Sequence, residues 1–271
     1  MKVFPCAKIN LGLYVTERRS DGYHNLETVF YPIPLCDILE ATKADTDELH
    51  IEGIPVLGPI NDNLVLRALS QLRHAGYDVP PLRIQLTKNI PSGAGLGGGS
   101  SDAAFMMLLA REMFHLPVND QQLRQLLTPL GADCPFFVSH QPVFATGIGD
   151  QFTPIDLRLT GLWLVLVKPN DFVSTREAYQ GVTPRQPQQR LLQSIQRPIA
   201  EWQQFIVNDF ENSVFPQHPT IATIKQGLLE AGAVYAAMSG SGSAVYGLFR
   251  QEPLTEVLSQ FDEHFVFSSQ L

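Results

Sequence analysis

Between residues 93 and 99 the chain carries five glycines in seven positions, Gly93-Ala-Gly-Leu-Gly-Gly-Gly99. A stretch so poor in Cβ atoms disfavours regular structure. It can adopt φ > 0 and bring successive backbone N–H groups close to a ligand. Its flanks set the context: Leu82 to Ile90 alternates apolar and polar side chains as a strand does, and Asp102 to His115 carries an apolar helical pattern. The order strand, glycine loop, helix places Ser100, Ser101 or Asp102 at the start of the helix. Free N–H groups and the positive dipole end there favour an anion. The spelling GxxxxGK[ST] is absent, so this is not a P-loop. Taken alone, the loop fits a tight turn as well as a phosphate cradle.

With 271 residues, 44% hydrophobic and 17% charged, the chain can bury one large core or two smaller ones. Two domains are expected, 1–155 and 156–271. No run approaches the roughly 20 apolar residues that span a bilayer, and the longest, Leu162 to Val167, has the length of a strand. Lys2 and Lys8 flank a stretch too short for a secretory signal, so a soluble, cytoplasmic protein is expected. Cys6, Cys36 and Cys134 form no CxxC pair, which argues against a disulfide framework or a cysteine zinc site and for small buried hydrophobes. His218 and His264 lack metal spacing, and a formal charge of −8 offers no field to attract nucleic acid or acidic membranes.

The first segment alternates, with Ala7, Ile9, Leu11 and Leu13 on one face and Lys8, Asn10, Gly12 and Tyr14 on the other, which predicts a half-buried strand. A turn at Ser20-Asp21-Gly22 leads to a strand region, Leu26 to Leu35, interrupted by Pro32 and Pro34. Helices are predicted over Asn63 to Ala75 behind an Asp62 cap, and over Asp120 to Leu130. The second half reads as a strand (Leu162 to Val167), helices (around Ala200 to Phe210 and Thr220 to Ala231) and strands (Val234 to Met238, Ala244 to Phe249). A helix near Leu254 to Phe261 and a strand near Phe265 follow. Gln180 to Pro198 is rich in Gln, Arg and Pro and reads as a connector. The pattern is α+β.

Several residues carry chemistry. Asp133 can take or orient the proton of an attacking hydroxyl while Lys8 neutralises charge building on a γ-phosphate; equally, Lys8 fits a solvated strand lysine and Asp133 a helix cap beside Gly131. Asn10 shares the Lys8 face and can hydrogen-bond a hydroxyl or phosphate. Tyr23 and His24 offer a ring face and a ring nitrogen, which suit a pyrimidine, although a histidine in a turn is also commonly just exposed and polar. The run Ser239-Gly-Ser-Gly-Ser243 offers backbone amides from Gly240, Ser241 and Gly242, or simply turns a hairpin. Asn208, Asp209 and Glu211 read as structural residues at a helix end.

The segment Pro91 to Ala104 resembles the ATP-binding loop of the galactokinase, homoserine kinase, mevalonate kinase and phosphomevalonate kinase (GHMP) superfamily. Its triple glycine followed by Ser-Ser-Asp-Ala-Ala resembles one branch, whose substrate is cytidine-diphosphate-linked methylerythritol and whose reaction belongs to the non-mevalonate isoprenoid precursor pathway. Ala7-Lys-Ile-Asn-Leu11, Asp21-Gly-Tyr-His24 and Gly131-Ala-Asp-Cys-Pro-Phe136 resemble the same branch, and Met238-Ser-Gly-Ser-Gly-Ser243 resembles the superfamily's C-terminal glycine motif. The resemblance implies an N-terminal ribosomal-S5-like domain, a ferredoxin-like C-terminal domain and an active site in the cleft between them. It also implies ATP and Mg²⁺ as cofactors and a small-molecule substrate, with no nucleic acid or membrane partner. By resemblance Lys8 and Asp133 are catalytic, and Pro91, Ser92, Gly93, Ala94, Gly95, Leu96, Gly97, Gly98, Gly99, Ser100 and Ser101 bind ATP. His24 takes the cytosine edge, and an aromatic of the second half stacks on the base, with Tyr179 ahead of Phe172. A kinase of mevalonate or homoserine, or a nucleotide-binding regulator without catalysis, are the competing readings.

Overall fold

The computed structural model describes residues 1–56, 58–187 and 189–271. Its strands are β1 (Lys2–Val3), β2 (Cys6–Arg18), β3 (His24–Cys36), β4 (Ile38–Lys43), β5 (Glu48–Gly53), β6 (Leu82–Lys88), β7 (Val143–Thr146), β8 (Gln151–Pro154), β9 (Trp163–Lys168), β10 (Tyr235–Met238), β11 (Val245–Phe249) and β12 (Phe265–Gln270). Four helices matter below: α1 (Leu64–His74), α2 (Gly98–Phe114), α3 (Asp120–Leu127) and α4 (Thr175–Gln180).

Two compact units emerge, each assembled from separate stretches of chain. The first holds Met1–Lys8, Pro32–Ser92 and Gly97–Gln141; the second holds Ile9–Tyr31, Gly93–Leu96 and Pro142–Leu271. This division differs from one cut near residue 155. Residues 9–31 join the C-terminal part because β3 pairs with β7, Thr28 opposite Ala145, and because Leu13 exchanges backbone hydrogen bonds with Val207 and Asp209.

In the first unit the sheet order is β1-β4-β6-β5, with β5 and β6 parallel and α1 in the connection between them. The predicted alternation of β6 holds: Leu82, Ile84 and Leu86 are buried and Arg83 and Gln85 are exposed. The cap of α1 is Asn63 rather than Asp62; its side-chain oxygen accepts from the Val65 N–H at 2.9 Å, while Asp62 belongs to the preceding 3₁₀ turn.

In the second unit β10-β11-β9-β12 form an antiparallel sheet covered by a helix, Pro219–Glu230. Val165, Val167, Ala236, Met238 and Val245 of this sheet share one core with Ile221, Ile224 and Leu228 of the helix. A further sheet has the order β2-β3-β7-β8. Strand β2 is buried on both faces from Ala7 to Val15, not on one as the alternation suggested. Part of that closure comes from the Gln-rich connector: Arg185 N–H donates to the Val15 carbonyl, and Leu191 is fully buried. The connector's Gln188 lies outside the described residues.

The helix expected over Ala200 to Phe210 is interrupted. A short helix, Trp202–Phe205, ends at Ile206, whose backbone turns extended so that Val207 and Asp209 can bond to Leu13. Asn208 then donates two hydrogen bonds of 2.8 Å, to the Met238 and Gly240 carbonyls, and Glu211 accepts the Met238 N–H at 2.9 Å. These residues are structural, as expected, but they brace the β10–β11 loop rather than a helix end. Cys134 is buried, whereas Cys6 and Cys36 are half-buried; all three are free.

Asn208 is 1% exposed, so truncating it leaves two buried carbonyls without donors. Asn208→Ala should lower the unfolding free energy by roughly 2–4 kcal/mol, measured by urea unfolding; a loss below the scatter of surface variants would show that the brace contributes nothing.

Candidate active site

The glycine loop is built as an alternation. Gly93, Gly95 and Gly97 take φ of +62°, +75° and +70°, while the side chains between them, Ala94 and Leu96, are buried. Two small apolar anchors thus fix the backbone, and the positive φ values admit only glycine without strain. Pro91 is buried and Ser92 half-buried. Helix α2 begins at Gly98 with Gly97 as its cap, two to four residues before the Ser100, Ser101 or Asp102 start read from the sequence, so Gly98, Gly99 and Ser100 form its first turn. The N–H groups of that turn have no partner four residues back within the helix. The Ser101 N–H is spent on the Gly97 carbonyl at 2.8 Å, so the candidate anion donors end at Ser100.

Backbone meets backbone at Gly95, where a Cβ would stand 1.9 Å from the Ser239 carbonyl oxygen. The Ser239 hydroxyl donates to the Gly95 carbonyl at 3.0 Å, and the Ala244 N–H donates to the Ala94 carbonyl. The Ser239–Ser243 run is therefore a hairpin loop between β10 and β11 that also clamps the start of the glycine loop. Gly240 and Gly242 are buried and only Ser241 is half-exposed, 3.4 Å from the Thr175 hydroxyl. Asn10 is part of this clamp. It is 2% exposed, its amide donates to Thr28 at 2.9 Å and its N–H donates to the Ser239 hydroxyl at 3.2 Å. Its side-chain amide is used inside the protein, beneath the surface expected to meet a substrate.

Lys8 and Asp133 meet in the first unit, with Nζ 3.3 Å from Oδ2. The lysine is 3% exposed and the carboxylate 35%, so one member is locked in place and the other reaches solvent. Asp133 stands at the start of the 3₁₀ turn Cys134–Val138, which Pro135 helps to initiate. A Cβ on Gly97 would lie 2.9 Å from the Phe137 ring and 3.3 Å from Lys8 Cε, so the cap of α2, the lysine and this turn are packed together.

In the second unit His24 stacks on Tyr179, with ring centroids 4.8 Å apart and planes 19° from parallel. Partial burial, helped by Arg18, holds His24 below the ordinary imidazole range, which favours a neutral ring able to donate at one nitrogen and accept at the other. Tyr23 beside it is 61% exposed. Phe172 lies elsewhere: its ring approaches within 2.8 Å of a Cβ position on Gly93.

Comparison with known proteins follows the same lines. Residues 63–141 match the GHMP kinases N terminal domain and residues 189–266 the GHMP kinases C terminal domain. A 4-diphosphocytidyl-2-C-methyl-D-erythritol kinase of Parabacteroides distasonis is 52% identical over 271 residues, covering all of both chains. This chain belongs to the GHMP kinases. A crystal structure of 4-(cytidine 5'-diphospho)-2C-methyl-D-erythritol kinase superposes with a TM-score of 0.81 at 32% identity, covering 99% of this chain and 98% of that one. The Methanococcus jannaschii mevalonate kinase shares the fold at a TM-score of 0.70 and 15% identity, covering 99% and 96%.

Within this GHMP kinase the structure adds a charged cluster that the sequence reading passed over. Lys88, 3% exposed, pairs with Asp37 and, at 2.6 Å, with Asp102 in the first turns of α2. Asp37 also accepts from the N–H groups of Asn89 and Ile90 at 2.6 and 2.8 Å. The available signal was register: Lys88 continues the buried parity of Leu82, Ile84 and Leu86, where an unpaired ammonium is untenable. A groove of about 420 Å³ in the same unit is lined by Ile51, Ile54, Val56, Ile60 and Asn63 among others. Leu64, the next residue, packs 3.6 Å from a Cβ position on Gly99.

The cluster holds two carboxylates for one ammonium. Burial pushes Asp102 up to about 7, against the pull of Lys88 and with the push of Asp37. A carboxyl raised on folding binds its proton more tightly in the folded state; its stabilising share is full below about pH 4 and is lost as pH climbs to its folded value. Asp102→Asn removes this titration, so its unfolding free energy relative to the parent should rise between about pH 4 and pH 7 and then level off. Urea unfolding across that range checks it, and a pH-independent difference would contradict the assignment.

Proposed function

We propose that this GHMP kinase transfers the γ-phosphoryl group of ATP to the 2-hydroxyl of 4-diphosphocytidyl-2-C-methyl-D-erythritol, giving its 2-phosphate and ADP. The reaction is a step of the methylerythritol phosphate route to isoprenoid precursors. The carrying observation is full-length identity of 52% to a kinase of that name. The residues brought together by the fold support the same chemistry.

The hydroxyl oxygen forms a bond to the γ-phosphorus while the bond from that phosphorus to the β–γ bridging oxygen breaks, releasing ADP. Asp133 takes or orients the hydroxyl proton, for which its partial exposure suits it. Lys8, held by burial, offsets negative charge developing on the transferred group. The amides of Gly95 to Ser100 receive phosphate oxygens, and the groove between Ile51 and Asn63 offers apolar walls for the adenine. His24 addresses the polar edge of cytosine and Tyr179 its face, with Tyr23 free to add a second ring. Asn10, Gly240 and Gly242 support this side from beneath, and Ser241 presents the accessible hydroxyl.

Among the described residues no three His, Cys, Asp or Glu side chains group as a metal site. Mg²⁺ would arrive with the triphosphate, with phosphate oxygens and waters supplying most of its ligands. Ser101 Oγ, buried and without a hydrogen-bond partner, is the protein oxygen that would hold it. Bound there, the ion would neutralise phosphate charge. The boundary near residue 155 lies between the two matched family regions, which supports it as the division of the family's domains. Among the described residues no helix is long and apolar enough to cross a membrane, and a formal charge of −8 offers no field to attract nucleic acid, which supports small-molecule partners.

Asp133→Asn should cut turnover roughly 10²- to 10⁴-fold with near-normal ATP affinity, read from ADP release and nucleotide titration; near-normal turnover would remove Asp133 as the base. Tyr179→Ala should weaken binding of the cytidine-linked substrate by about 1–3 kcal/mol and leave the KM for ATP in place. Equal losses for both substrates would point to a folding defect instead.

A further inference from the structure

The stretch from β9 to α4 ties several parts of the substrate side together. The Asp171 carbonyl accepts from the Ser243 hydroxyl at 2.6 Å, the exposed Phe172 ring lies beside Gly93, and α4 carries Tyr179. Both ends of this stretch are held by one side chain. His218 Nδ1 lies 3.3 Å from Asp171 Oδ1, and its Nε2 lies 2.9 Å from Glu177 Oε1. Ionised carboxylates only accept, and a neutral imidazole has one N–H. Both bonds therefore exist together only when the ring is protonated at both nitrogens.

We propose that His218 is a positioning residue for base recognition, acting as an imidazolium that ties Asp171 to Glu177 and so fixes the plane of Tyr179. The inference rests on the cytidine reading above. The charged groups facing His218 are Asp171 from the loop after β9 and Glu177 from α4; the Lys168 ammonium reaches the Asp171 carbonyl at 3.4 Å. His218 also caps the helix Pro219–Glu230, whose dipole opposes a cation but suits the two carboxylates. The carboxylates prevail: the hydrogen bond to Glu177 first, then Asp171, raises His218 above the ordinary imidazole value despite partial burial. A raised value means the tie is intact at low pH and is lost as pH climbs through it. Glu177 lies two residues before Tyr179 on one turn of α4, so releasing it loosens the ring's support.

The test follows the KM for the cytidine-linked substrate and inhibition by CDP from about pH 6 to about pH 8.5, a window spanning a raised histidine. In the parent, KM should rise about five-fold with pH, the factor matching ~1 kcal/mol for a partly exposed ion pair. His218→Gln should show the higher KM at every pH with no pH step from this site, while kcat and the KM for ATP follow the parent. Glu177→Gln, on the more exposed partner, gives the same reading if His218→Gln does not fold. A parent KM that ignores pH, variants with parental KM, or kcat falling in step with KM would each overturn the inference. If CDP fails to inhibit the parent at all, the cytidine reading falls and this inference with it; CDP inhibition unaltered in both variants removes the inference alone.

Discussion

The close approach of two backbones at Gly95 and Ser239 is the constraint around which the second unit's polar interior is organised. No side chain can stand between them, since the first carbon of one would lie 1.9 Å from a carbonyl oxygen. Such an approach buries peptide groups, and buried peptide groups need partners. Ser239, Asn208 and Glu211 supply them, drawn from the loop itself and from the segment after Ile206, and the Ser239 hydroxyl also takes the N–H of Asn10 in β2. The shape of the glycine loop is therefore a long-range property. Its own residues allow the conformation; residues far away in sequence select it.

Charge is distributed by the same logic of burial. Lys8 and Lys88 are each 3% exposed, and each faces carboxylate. What separates them is the partner. Asp37 and Asp102 are as deeply buried as Lys88, so that cluster can do no more than hold β6, the residues after it and the start of α2 in place. Asp133 reaches solvent, so the Lys8 pair alone of these two holds a carboxylate accessible to the hydroxyl of the proposed reaction. A buried lysine with an equally buried carboxylate is a fastening, whereas one with a half-open carboxylate is equipped for chemistry.

Local pattern carried the sequence reading furthest where one face of an element decides its fate. β6 alternates as expected because one side meets the core and the other does not. The same rule misjudged β2, whose second face is closed by residues distant in sequence, Leu191 of the Gln-rich connector and Ile206 against Gly12 and Phe205 against Tyr14. Ala94 and Leu96 make the glycine run more informative than its glycines alone: an apolar residue at every second position is an anchor pattern. The start of α2 was placed late because glycine disfavours helix interiors, yet the first turn is where that cost is least and where bare backbone is useful. Asn208 looked like the end of a helix because its role depends on carbonyls 30 and 32 residues away. Lys8, Asp133 and His24 were legible as candidates for chemistry and Tyr179 only through the family resemblance, but their pairings are tertiary facts.

The direct stack of His24 on Tyr179 bears on how the proposed cytidine substrate would be received. At 4.8 Å between centroids the two rings fill each other's faces. The proposed cytosine would stack on the Tyr179 face that His24 now covers, and a third ring between the two would need roughly 7 Å, twice an ordinary carbon contact. One ring must therefore give way. Tyr179 is poorly placed to do so: it packs against the core that contains Phe210, standing 82° to that ring at 4.7 Å, and α4 is fastened through the Ser213 hydroxyl to the Ala178 carbonyl. His24 stands at the first position of β3, next to exposed Tyr23 and a turn with open space around Gly22. The freedom lies on the Tyr23–His24 side, and the fixed reference plane is Tyr179.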